Sequence, residues 1–155
     1  MWSFRTLFVL LSLAGCGFQP VNGPGGTGAA LQGKVEIAEP ETRDSFLLVQ
    51  RLEERLGRSG TPEYQLSLSL NVTEQSLAIN PEGDVERFNL IGQAEYSLRD
   101  VSTGEIALSG KVNNFTGYSA TGTTVASLAA ERDARRRLMT ILGDQIVQRL
   151  QAGQL

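Results

Sequence analysis

Tyr64-Gln65-Leu66-Ser67-Leu68-Ser69-Leu70-Asn71-Val72-Thr73 is the stretch whose reading decides the fold. Tyr64, Leu66, Leu68, Leu70 and Val72 alternate with Gln65, Ser67, Ser69, Asn71 and Thr73. A strand turns successive side chains to opposite faces, so a period of two predicts a long strand with its apolar side on a core and its other side uncovered. The phase then flips, with Leu77 and Ile79 apolar where Ser76 and Ala78 would continue the pattern. One extra residue in the strand does this, so a bulge or bend is expected near residues 74–76.

Working back from that strand, Gly57 and Gly60 offer stops for a helix in which Phe46, Val49, Leu52 and Leu56 recur at three- and four-residue spacing. Thr42 or Asp44 can cap its start. Before it, Lys34-Val35-Glu36-Ile37-Ala38 reads as a short strand that Pro40 ends. A strand–helix–strand unit joins parallel neighbours, so the first and second strands are predicted to be parallel.

Working forward, Asn80-Pro81-Glu82-Gly83-Asp84 is a turn. A third strand is expected from about residue 87 to 99, with Phe88, Leu90, Gly92, Ala94, Tyr96 and Leu98 inward. Ser102-Thr103-Gly104 turns it into a fourth strand carrying Ile106, Leu108 and Val112. A second phase break is expected at Asn113-Asn114, before Phe115. Polar residues 119–124 then lead into a long helix over roughly residues 125–151. The fold class is α+β: a four-stranded mixed sheet with two helices packed on one face and a polar face opposite.

The chain begins with one positive charge (Arg5), an apolar run from Leu7 to Leu13, and Leu13-Ala14-Gly15-Cys16. This is the layout of a bacterial secretory signal closing on a lipobox. The run is far shorter than the ~20 residues of a spanning helix. Residues 1–15 therefore read as a cleaved lipoprotein signal and Cys16 as the lipidation site. Several acyl chains hold a protein on a bilayer far better than one. The plain alternative is an ordinary signal with an incidental cysteine. Gly17, standing where aspartate favours the inner membrane, is consistent with the outer membrane. Residues 16–33, rich in glycine, read as a flexible tether, and residues 34–155 as the folded domain. Gly23, Gly25 and Gly28 spell a dinucleotide-binding spacing, but no strand precedes it, so that reading is rejected.

Composition narrows the chemistry. The chain has 14 basic and 17 acidic groups, and losing Arg5 with the signal leaves 13 against 17, a net charge of −4. That balance disfavours a general nucleic-acid binder. There is no histidine, and the one cysteine is assigned to lipid. Ser-His-Asp and Cys-His sites and a His/Cys zinc site are thereby excluded. Only Lys34 and Lys111 could serve a serine–lysine pair, and neither has that spacing. The expectation is a protein with no catalytic residues, no cofactor and no metal.

Two surfaces stand out. One is the outward face of the sheet, from Gln65 to Thr73 with Asn89, Gln93, Glu95, Ser97, Ser109, Lys111 and Asn113. Uncharged hydrogen-bonding groups dominate it, which suits a hydrated, confined contact; the plain alternative is a solvated face biased to Ser and Gln. The other is the start of the long helix. At about 100° per residue Leu128, Met139, Leu142, Ile146 and Leu150 form a stripe that also contains Arg132 and Arg135, with Arg136 at its edge. Buried unpaired arginines are costly, so this end is expected to overhang the sheet or face a partner, with Arg132, Arg135 and Arg136 taking a phosphate or carboxylate. The alternative is a Glu131–Arg135 pair with arginine stems lying on apolar surface.

A family resemblance rests on Cys16-Gly17-Phe18-Gln19-Pro20, on the strand–helix–three strands–helix order, on Ser127-Leu128-Ala129-Ala130-Glu131-Arg132-Asp133-Ala134, and on Ile146-Val147-Gln148-Arg149-Leu150. With these the chain resembles the alphaproteobacterial form of LptE, the lipopolysaccharide-assembly lipoproteins. The resemblance implies a non-enzymatic outer-membrane lipoprotein that plugs and helps assemble the LptD barrel and contacts lipopolysaccharide. Basic residues on the sheet and its loops carry that contact in the family; from position alone Lys111, Arg87 and Arg99 are the candidates here. The rival readings are an auxiliary lipoprotein of an ABC-type lipid transport system and a structural envelope lipoprotein.

Overall fold

A computed structural model describes residues 30–79 and 85–153. The signal, Cys16, most of the expected tether and the turn at residues 80–84 lie outside the described residues. The elements run β1 (Val35–Ile37), α1 (Arg43–Leu56), β2 (Tyr64–Ile79), β3 (Val85–Asp100), β4 (Ile106–Ser119) and α2 (Thr124–Ala152). They form one four-stranded sheet in the order β1-β2-β3-β4 with both helices on one face, the α+β mixed-sheet arrangement that the alternation predicts.

β1 pairs parallel to β2 over only three residues, Val35↔Tyr64 to Ile37↔Leu66, before Pro40 turns the chain away. The other two pairings are antiparallel and run nearly the full length of their strands. Among the described residues, the rim of β2 beyond Leu66 and the rim of β4 have no strand partner. The irregularity in β2 falls at residues 76–79, slightly beyond the expected position, where the register to β3 shifts twice.

α1 starts on a capping box. The Thr42 hydroxyl accepts from the Ser45 N–H at 3.1 Å, and the Ser45 hydroxyl accepts from the Thr42 N–H at 2.8 Å. It ends at Gly57, whose φ of 75° suits glycine. Leu48, Val49, Leu52 and Leu56 form its buried stripe, while Phe46, expected inside, is 57% exposed. Leu48 takes that place because it sits one turn before Leu52 on the face toward α2. Leu31 is wholly buried and the Gly33 N–H donates to the Leu56 carbonyl at 2.7 Å. The folded unit therefore starts before Lys34.

α2 crosses β3 and β4 at close range because Gly92 has no side chain. A Cβ there would lie 2.9 Å from Leu142 Cδ1 and 3.0 Å from Leu138 Cδ2. Leu138, Met139, Leu142, Ile146, Val147 and Leu150 fill the space between the helices and the sheet. Among the described residues three ion pairs link the helices: Asp44 with Arg135 near the start of α1, and Asp144 with both Arg51 and Arg55 toward its end. The helices therefore run side by side in the same direction. The first ten residues of α2 project about 15 Å beyond the start of α1. Val125 (77% exposed) and Leu128 (46%) lie on this projection.

Candidate partner and ligand surfaces

The uncovered sheet face follows from the pleat. Reading across β2, β3 and β4, the outward rows are Ser69–Glu95–Lys111, Asn71–Gln93–Asn113 and Thr73–Ile91–Phe115. The first two rows are as the sequence reading has them. Lys111 lies 3.5 Å from Glu95 and Gln93 donates to the same carboxylate at 3.4 Å, so the only cation in these rows is already paired. The third row is new. No phase break occurs at Asn113-Asn114: the β3–β4 register is unbroken from Leu98↔Leu108 to Arg87↔Ser119. Alternation therefore carries Phe115 outward, 62% exposed, beside Ile91 at 40%. Asn89, Ile91, Asn113, Asn114 and Phe115 line a shallow depression of about 440 Å³ there. Counting by twos from Leu108 through Val112 would have found it.

The opposite side of the same rows is internal chemistry. The Thr116 hydroxyl donates to the Ala134 carbonyl at 3.0 Å, and Phe88 stacks on Tyr118 with centroids 5.2 Å apart. The Tyr118 phenol donates to Glu74 at 2.9 Å. Burial, that hydrogen bond and the Glu74 charge raise its pKa well above the ordinary value.

Of the sheet cations, Arg87 and Arg99 share the outward phase of β3 but stand twelve residues apart, roughly 40 Å along the strand. Arg99 donates to the Gly104 carbonyl in the β3–β4 turn, whereas Arg87 is exposed and has no ion pair among the described residues. Lys111, Arg87 and Arg99 thus share a face without converging.

The helix arginines divide. Arg135 is held inside the molecule, donating to Asp44 at 2.7 Å and to Glu131 at 2.9 Å. Desolvation lowers its pKa, but the hydrogen bonds to Glu131 and Asp44 outweigh that and leave it raised. The Glu131–Arg135 pair was the plainer of the two sequence expectations; Asp44, 91 positions away, was not foreseeable from spacing. Arg132 is exposed and has no ion pair among the described residues. With Thr42, Arg43, Leu47 and Leu128 it lines an open cleft of about 420 Å³ between the helix starts. Arg136 lies apart, 3.7 Å from Asp133.

Among the described residues no group of three or more His, Cys, Asp or Glu could hold a metal, and no helix is long and apolar enough to cross a membrane. A sheet layered on one side by two helices and dressed on the other mainly in amides and hydroxyls is the α+β architecture of a class of lipoproteins. The chain belongs to the LptE lipopolysaccharide-assembly family, whose model matches residues 33–150. It is similar to a lipoprotein of Caulobacter crescentus at 27% identity, covering 80% of this chain and 92% of that one with a TM-score of 0.65. Rare lipoprotein B of Shewanella oneidensis has the same fold at 18% identity, with 74% and 89% covered and a TM-score of 0.56. So does a minor lipoprotein of Acinetobacter baumannii, at 15% identity, 77% and 89% covered, and a TM-score of 0.57. No curated protein sequence matches the chain.

Proposed function

We propose that the protein is a lipid-anchored outer-membrane component that sits as a plug in an LptD-like barrel and assists lipopolysaccharide insertion. The observation that carries this reading is the bare sheet face. Strands of 14 to 16 residues present a face dominated by amides and hydroxyls, with Ile91 and Phe115 an apolar pair within it. Such a face can form many wet hydrogen bonds to a surrounding wall without a large desolvation cost.

The role is one of binding and positioning, not catalysis. Cys16 carries the acyl chains and residues after it span from the bilayer to the domain. Arg87 and Arg132, the candidate cations with neither an ion pair nor a side-chain hydrogen bond among the described residues, are the contacts that remain open for phosphate or carboxylate. Arg136, loosely held by Asp133, can join Arg132, whereas Lys111, Arg99 and Arg135 must give up an internal partner first.

The test is affinity purification of the tagged full-length chain from detergent-solubilised membranes. A tight one-to-one complex with a large outer-membrane barrel is expected. Recovery with an inner-membrane transporter, as a bridge to an ABC-type lipid transport system would give, overturns the reading. Recovery of the lipoprotein alone overturns it in favour of a structural role.

A further inference from the structure

Phe115 is the most exposed aromatic on the sheet, and it is not in a region of loose packing. It sits mid-strand in an unbroken register, opposite Ile91, with Asn113 two residues before it on the same face. Asn89 lies one row further along β3, opposite Gly117, where a Cβ would come within 3.3 Å of the Asn89 Oδ1, so the amide leans across the space the glycine leaves. Exposed apolar groups of this size inside a polar surface mark binding sites.

The chemistry of the rim selects the ligand. Amide side chains both donate and accept, which matches hydroxyl groups that do the same. No charged side chain lines the depression itself; of the cations in the rows on either side, Lys111 is paired with Glu95 and Arg87 stands one row beyond Asn89, at the margin. A phosphate seated on the ring would find no counter-charge in the lining, and an acyl chain would leave the amides unsatisfied. A pyranose ring meets both demands at once, laying its apolar C–H face on the phenyl ring while its equatorial hydroxyls reach the amides at the rim.

We infer that Phe115, Ile91, Asn89 and Asn113 form a saccharide site that takes a neutral hexopyranose unit of the lipopolysaccharide sugar chain. The assignment rests on the lipopolysaccharide role proposed above for its source of sugar. It differs from Arg132 and Arg136 of α2 in lying on the uncovered sheet face, and its own lining carries no charge, although Arg87 borders it one row beyond Asn89.

Saturation-transfer NMR on the purified full-length chain tests it, with methyl glucoside, methyl galactoside and a muropeptide as probes. Titrations follow with core-bearing lipopolysaccharide and with lipid A. Saturation of the neutral glycosides' ring protons is expected, with core-bearing lipopolysaccharide bound more tightly than lipid A. Phe115→Ala and Asn113→Ala should each weaken this about tenfold, the loss of one stacking or hydrogen-bonding partner. Both positions are exposed, so an unchanged melting curve shows that the variants fold. Three results overturn the inference: no saturation of the glycosides, saturation untouched by Phe115→Ala, or a preference for the muropeptide. Loss of a co-purifying barrel in Phe115→Ala with no glycoside binding by the parent protein also overturns it, and makes the patch a protein interface. Glycoside binding by a protein that recovers no barrel leaves the site standing and sinks only the plug.

Discussion

Arg132 and Arg135 are three residues apart on one helix and have different occupations. Arg135 is the single cation between Asp44, whose side chain is 15% exposed, and Glu131, at 28%. Removing it leaves two half-covered carboxylates facing each other, so Arg135→Ala should cost about 1–2 kcal/mol, between the values for surface and buried pairs. Arg132→Ala removes no ion pair among the described residues and should stay within about 0.5 kcal/mol. Thermal melts of the two variants check this, and equal losses would refute the division. Gly92 offers a sharper test. Gly92→Val must push Leu138 and Leu142 off the sheet, an overpacking worth about 1–3 kcal/mol, and should lower the melting temperature by several degrees. Tyr118 carries a pH signature. Its phenol is held neutral in the fold, so its contribution is complete below the ordinary value of 10.0 and is lost as pH rises above it. Stability should therefore fall above pH 10, and more gently in Tyr118→Phe; identical slopes in the two proteins would remove Tyr118 as the cause.

At the scale of elements, most of the architecture is written in periodicity. The alternation in β2 and β3 gives the core face directly, and Leu52, Leu56, Leu142, Ile146 and Leu150 are buried where their spacing puts them. The departures have physical causes. Phe46 was taken for a core residue because helical spacing admits both Phe46 and Leu48; only the position of α2 decides between them. Leu48→Ala should cost about 2–5 kcal/mol, whereas Phe46→Ala should cost under 1; denaturant midpoints would show the contrast. In β4 an aromatic residue was read as evidence of an inward turn, when the strand simply continues and exposes it. The candidate site is legible as a polar face and alternation alone puts Phe115 on it, but its meeting with Ile91, 24 positions away, depends on register. The Asp44–Arg135 link escaped for the same reason.

For the whole molecule, one face is committed to self-stability and the other is left for something else. The helices, the ion pairs between them and the buried leucines lie on one side of the sheet. The two sides should therefore respond independently to mutation. Combining Phe115→Ala with Leu48→Ala is expected to give additive stability losses within about 0.5 kcal/mol.

The brevity of β1 has a consequence for handling this protein. Soluble proteins usually shield a sheet's margin with prolines, lysines or a bulge. Here the free margin of β4 runs fourteen residues with one lysine and no proline. A free copy thus offers bare peptide groups to any extended chain, including its twin. Concentrating the purified protein should yield higher sedimenting species through edge-to-edge stacking, and a sample that stays monomeric at every concentration would refute this.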